Sequence, residues 1–382
     1  MHSIQIHEVI GSIISLLYLI GVWHRGDEPT VNEMRLKFTY CIHYVLFSIS
    51  TVVGAITNDR NDMSIFLAQV AIAHAVLGIK CWLLIWKQHK ILDLLNRVCV
   101  FTVRNEDDYS SFNEKLKGFM KFVLVFLITV AVIGFSGSIT LSLLGTEKSL
   151  FVKIAFPLDY RNNGFAFWIA TIFIFTAFLL GTIGIFFSII IWYLLLVCSL
   201  RYEGLGSGLR NMGRRSEHRK GKNGYDDFRE DLKTSVNSHI QIMELTDELE
   251  SFFTNLFFIQ FSTSGLCICG SIYCLASNIG DTVLEHIIYL LICFYCTAEL
   301  FMITYMGNEI MLSSNRLSYS LFQSDWYNQP PSTRKKIVIF GEYLKQPKKL
   351  LVGKLYSLTL ETFTRILNSA YSMFNILQRF QQ

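Results

Sequence analysis

The chain has 382 residues, of which 52% are hydrophobic, 14% aromatic and only 17% charged. A soluble domain carries about 25% charged residues. With a mean hydropathy of +0.38 and five prolines in 382 residues, the composition points to a membrane protein and excludes disordered, collagen-like and ordinary soluble classes. The net charge of +4 is small, so what matters is where the charges fall.

The first apolar run, residues 9–23, has no basic flank or small-residue cleavage site, as a signal peptide would, and is short for a span. It reads as an interfacial or re-entrant helix within a cytoplasmic N-terminal unit, residues 1–34. Seven later stretches are long enough to cross: 38–56, 64–86, 119–144, 165–200, 252–278, 286–305 and 352–377. The expected fold is therefore an all-α membrane protein with seven transmembrane helices.

Lys and Arg in the connections set the orientation. With the N-terminus in the cytoplasm, Arg25, Arg35 and Lys37 lie inside. So do Lys87, Lys90, Arg97, Arg104, Lys115 and Lys117, and then the basic residues of 201–233 and 316–349. Arg60, Lys148, Lys153, Arg161 and Arg379 fall outside. The bias predicts a cytoplasmic N-terminus and an extracellular C-terminus.

Spans one to four occupy residues 35–200, which is the expected ligand-binding side. No charge occurs between Arg161 and Arg201, so the fourth span reads as one long helix whose inner end leaves the bilayer and is covered by protein. Residues 204–224 are glycine-rich and basic, and read as a solvated loop or a contact with anionic lipid. Residues 231–251 and 308–322 are amphipathic at helical spacing. They predict inward continuations of spans five and six (251–310) that form a cytoplasmic helical anchor with segments 201–250 and 311–350. Lys80, near Trp82 and Trp86, is expected to snorkel to the inner interface. Glu299 lies within span six, where an acid marks a functional hypothesis.

Of the nine cysteines, eight lie in or beside apolar runs and Cys99 in a charged linker, so a disulfide framework is not expected. No nucleophile–base constellation, phosphate loop or metal-ligand spacing supports an enzyme, and neither a cofactor nor a nucleic-acid partner is expected.

The last segment, 351–382, differs from the other spans. Glu361, Thr364 with Arg365, Asn368, Tyr371 with Ser372, Asn375 and Gln378 recur every three or four residues and share one helical face. A charge at mid-bilayer costs about 2.5–3.5 kcal/mol on the insertion scale. The stripe therefore needs neighbouring helices or water: it either packs within the bundle or walls a pore.

Ser357-Leu358-x-x-Glu361-Thr362-Phe363 followed by Asn368-Ser369-Ala370-Tyr371-Ser372, with Phe156-Pro157-Leu158-Asp159-Tyr160 before the fourth span, resembles the insect odorant receptor family. The resemblance implies four subunits around one cation pore lined by the last helix, in the plasma membrane of a sensory neuron dendrite. It also implies assembly of an odour-tuned subunit with a common co-receptor. The ending Ala370-Tyr371-Ser372-Met373-Phe374 resembles that of a tuned subunit rather than the co-receptor. By resemblance, the gate falls three and six residues after Tyr371, at Phe374 and Leu377, whereas the polar stripe turns Asn375 and Gln378 to the lumen.

The resemblance also places an odorant pocket in the outer halves of spans two, three, four and six. The candidates are Ala73 and His74; Ser136, Gly137 and Thr140; Trp168, Ile172, Phe173 and Thr176; and Tyr289, Ile292 and Tyr295. This apolar and aromatic set suits a small volatile, phenols and indoles among the candidates, held by burial and one or two hydrogen bonds. Taken alone, each residue reads first as helix packing and only as a set as a pocket. A gustatory-type channel and a metabotropic seven-helix receptor remain as alternatives at this point.

Overall fold

The computed structural model describes the chain except for residues 1, 5, 59–60, 100, 104–105, 145–149, 151, 153, 160–161, 214–221, 277–282 and 380–382. Side chains are described except, in addition, those of 2–4, 61–62, 102–103, 107, 133–144, 222–224 and 283–285. Outside the described residues lie Arg60, Arg104, Lys148, Lys153, Tyr160, Arg161 and the basic part of the glycine-rich insert, 214–220.

Helices dominate: α1 (Glu8–Leu19), α2 (Val31–Thr57), α3 (Asn61–Trp86), α4 (Gln88–Cys99), α5 (Glu106–Leu144), α6 (Gly164–Arg210), α7 (Lys222–Ala276), α8 (Val283–Phe322), α9 (Pro331–Tyr343) and α10 (Leu360–Arg379). Two short antiparallel ribbons, not anticipated from the sequence, join β1 (His2–Ile4) to β2 (Phe101–Val103) and β3 (Leu351–Val352) to β4 (Tyr356–Ser357).

The helices start where local chemistry satisfies their first N–H groups. Thr30 and Glu33 form a reciprocal capping box at α2, with Thr30 N–H donating to Glu33 Oε2 at 2.8 Å. Asn163 accepts from Phe165 N–H at 2.9 Å and caps α6. Pro331 opens α9, where its missing N–H costs nothing. Gly353 and Lys354 both take positive φ, 57° and 61°, and turn β3 into β4.

The seven expected spans fall on α2, α3, α5, α6, α7, α8 and α10. Five of them, α2, α3, α6, α7 and α8, are long and apolar enough to cross a membrane among the described residues. The apolar half of α5 runs into residues whose side chains are not described, and α10 carries the polar stripe.

The pillar of the molecule is α6, one unbroken helix of 47 residues, about 70 Å at 1.5 Å per residue. Its stretch 187–200 is covered on every side, as an all-round apolar helix must be. It packs on α2, α3, α4, α5, α7 and α8. The glycine-rich segment differs from the loop reading, since residues 204–210 continue α6 as helix and Leu205 and Leu209 are buried.

The amphipathic 231–251 and 308–322 belong to α7 and α8, helices of 55 and 40 residues. With α4 and α9 they form a second bundle, here called the anchor end. Ion pairs tie it together: Arg97 to Glu248, Lys115 to Glu203 at 2.6 Å, and Lys348 to both Asp247 and Glu250. Burial would lower the Lys348 pKa, but the two carboxylates outweigh it and raise the pKa.

The α1 helix meets α6 and buries Ile10, Ile13 and Leu17, and Trp23 Nε1 donates to the Leu84 carbonyl at 2.9 Å. All nine cysteines are free, and Cys99 is fully buried at the end of α4 rather than in an open linker.

Candidate functional site

The expected ligand residues divide into three groups. His74, Phe173 and Thr176 meet in one aromatic cluster, joined by residues of α2 that the sequence reading did not include. The His74 ring lies 4.8 Å from Tyr44 and 4.5 Å from Phe47. Phe173 lies 4.8 Å from His43, 5.7 Å from Phe47 and 5.9 Å from Phe156. A hydrogen bond of 2.8 Å joins His43 Nε2 and Thr176 Oγ1. The α2 signal was available: His43 and Phe47 are one turn apart, and a second imidazole in an apolar span needs a polar partner. His74 is 7% exposed, and its Nε2 has no hydrogen-bond partner among the described residues. Ala73 sits half-buried beside it.

The second group is on α8. Tyr289 is fully buried and edge-on to Phe66 of α3 at 5.0 Å. Tyr295 stacks with Phe126 of α5 at 6.4 Å, and Ile292 packs half-buried on the core between them.

The third group leaves the site. Trp168 and Ile172 are 51% and 59% exposed, one turn apart on a face of α6 left open among the described residues. Ser136, Gly137 and Thr140 are in α5, but their side chains lie outside those described.

Below the two aromatic groups, Lys80 overturns the snorkelling expectation. It is 1% exposed and pairs with Glu299, itself 1% exposed. A charge that deep requires a partner, and here α3 supplies the cation and α8 the anion.

At α10, Glu361 and Arg365 pair at 2.6 Å. Tyr371 (59% exposed), Asn368, Ser372 and Gln378 are exposed and Asn375 is half-buried. Leu377 is 37% exposed. Phe374 differs from the gate reading: it is 9% exposed and packs, with Ala370, into this chain's own core. The reason is helical phase. Phe363, Leu367, Ala370 and Phe374 recur at three- and four-residue spacing on the side of α10 that meets α7 and α8.

A family model described as 7tm Odorant receptor matches residues 63–371. Odorant receptor 94a of Drosophila melanogaster is 23% identical over 96% of this chain and 95% of its own length. Odorant receptor 10 of Aedes albopictus is 27% identical, but the match spans only 38% of either chain. For Odorant receptor Or2 of Anopheles gambiae the match spans 39% of either chain at 26% identity. The solved olfactory receptor OR5 of Machilis hrabei superposes with a TM-score of 0.79 over 97% of both chains at 14% identity. Its complex with eugenol gives the same score over 98% of both. The fold is thus that of a seven-helix insect olfactory receptor. The gustatory alternative gives way and no enzyme family is involved, because a match extending over residues 63–371 shows that this chain belongs to the 7tm odorant receptor family.

Proposed function

We propose that this chain is an odour-tuned subunit of an odorant-gated, non-selective cation channel. It would bind a small volatile in the outer half of its bundle and open a pore walled by α10. The observation that carries the reading is α10 itself. It lies in an expected span yet keeps a polar face, with Asn368, Ser372 and Gln378 exposed on the free side of the chain. Such a face in a membrane requires water or other subunits.

The N-terminus lies in the cytoplasm and the C-terminus outside, as the basic connections dictate. Three further copies or partners, the common co-receptor among them, complete a heterotetramer in the plasma membrane of a sensory dendrite. The ligand-facing residues are His74, Phe173, Thr176, Tyr289, Ile292 and Tyr295, with His43, Tyr44 and Phe47 of α2 behind them. Eugenol, which OR5 binds, is a small volatile of the chemistry this aromatic set suits, and His74 Nε2 supplies one polar contact. Tyr371, Asn375, Leu377 and Gln378 line the path, while Phe374 holds α10 against the bundle in this conformation.

The test is whole-cell current in non-insect cells expressing this chain, the co-receptor, or both, under a panel of volatiles with G-protein signalling blocked. Rapid current from the pair supports the reading. A second-messenger response without current, lost under the block, would favour the metabotropic alternative.

A further inference from the structure

Glu299 of α8 is bonded from three other helices at once. Lys80 of α3 pairs with it. Ser188 of α6 donates to Oε1 at 2.6 Å while accepting from Lys80 Nζ at 3.1 Å. Gln260 of α7 donates through Nε2 to Oε2 at 3.1 Å. All four side chains are at most 4% exposed. Replacing such a pair with apolar groups of similar volume is often neutral or stabilising, so stability alone does not account for a charged pair at this depth.

Two features point to a role in motion. First, position. Tyr295, of the candidate ligand set, is one turn before Glu299 on α8, and Phe301, two residues after it, packs edge-on against Phe363 of α10 at 5.5 Å. A displacement of α8 carried from the ligand to this contact with α10 therefore moves Glu299 against its three partners. Second, the network is not saturated. Gln260 Oε1 is buried without a hydrogen-bond partner among the described residues, and an ammonium has three donors, of which Lys80 spends two here. An unused acceptor and an unused donor in one buried cluster allow a second arrangement after a small shift of α8, and a network with two arrangements can act as a switch.

We infer that Lys80 and Glu299, with Ser188 and Gln260, form an interhelical clamp that holds α8 in the resting register, and that ligand-driven opening must rearrange it. These are positioning residues that touch neither odorant nor ion. The inference rests on the channel reading above.

The test uses the full chain expressed with the co-receptor and reads ligand-free current per surface subunit, with no odorant applied. The neutral pair Lys80→Met with Glu299→Gln keeps the volume and removes both charges. It is expected to reach the surface at near wild-type level and to raise ligand-free current about five-fold or more. Wild-type ligand-free current in that double variant would overturn the clamp. If the double variant fails to reach the surface, Ser188→Ala and Glu299→Asp decide, since each loosens the network and keeps the charges. Raised ligand-free current in either supports the clamp, and unchanged current in both overturns it.

A wild-type complex that passes no more current than the co-receptor alone would count against the channel reading instead. The clamp is then judged by amide hydrogen exchange of α8 residues 295–303 in purified full-length chain. Faster exchange in the Ser188→Ala and Glu299→Asp variants than in wild type supports it, and equal exchange overturns it.

Discussion

His24 shows how a single contact fixes a protonation state. Its Nδ1 lies 2.8 Å from Lys37 Nζ, and an ammonium can only donate, so Nδ1 accepts and the imidazole is neutral. Burial first, and then the Lys37 charge, push the His24 pKa below its ordinary 6.5. The sign follows from linkage. Above pH 6.5 neither the folded nor the unfolded state binds the proton. Below it the unfolded chain binds one that the folded chain resists, so stability falls with acidification. The melting temperature of detergent-purified chain should drop between pH 7 and pH 5, and His24→Asn should flatten that limb. An equally steep limb in the variant would assign the effect elsewhere.

His74 makes a separate prediction. His74→Phe keeps the ring between Tyr44 and Phe47 and removes the nitrogen. Dose–response curves for hydroxylated agonists should shift about tenfold, the worth of one hydrogen bond of about 1.4 kcal/mol. Agonists without a hydrogen-bonding group should be unaffected, and equal shifts for both classes would remove His74 from recognition.

At this scale the sequence was legible only in halves. Lys80 and Glu299 each stood out, but a lysine followed by two tryptophans near the end of a span has the pattern of a snorkelling side chain. Only the packing of α3 against α6 and α7, and of α8 against both, shows that the two sit at one depth.

Among elements, the approach of α8 to the β3–β4 ribbon ahead of α10 depends on Gly307. A Cβ there would stand 2.6 Å from the backbone carbonyl of Leu358, which no side-chain rotation relieves. Gly307→Ala should cost about 1–3 kcal/mol as overpacking, read as lower surface expression and a lower melting temperature. Normal values for both would show that the ribbon moves freely. The α10 helix was identifiable from its three- and four-residue polar recurrence, because that pattern is a property of one helix. Its rotation was not, because the phase of Phe374 is set by the apolar faces of α7 and α8 that it meets. The continuous α6 was legible for a similar reason: the run from 162 to 200 without a charge leaves few alternatives. The helical turn at 204–210 was not, since glycine prefers loops and only burial of Leu205 and Leu209 holds it in α6.

At the scale of the whole molecule, the seven-helix plan followed from hydropathy and length. The two-tier build followed from amphipathic spacing beyond the spans, because both depend on solvent contrast alone. The aromatic cluster was half legible: His74 of α3 and Phe173 and Thr176 of α6 stood out in the sequence, while α2 entered through His43, Tyr44 and Phe47, a pairing that depends on which helices become neighbours. The central claim is that α10 of this chain walls a ligand-opened pore. The most direct measurement is the reversal potential of odorant-evoked current under G-protein block, comparing wild type with Asn375→Asp and Gln378→Glu in complex with the co-receptor. Added acid at a pore wall should raise the permeability to divalent over monovalent cations and shift the reversal potential. Evoked currents of normal size with a reversal potential unchanged in both variants would contradict the claim.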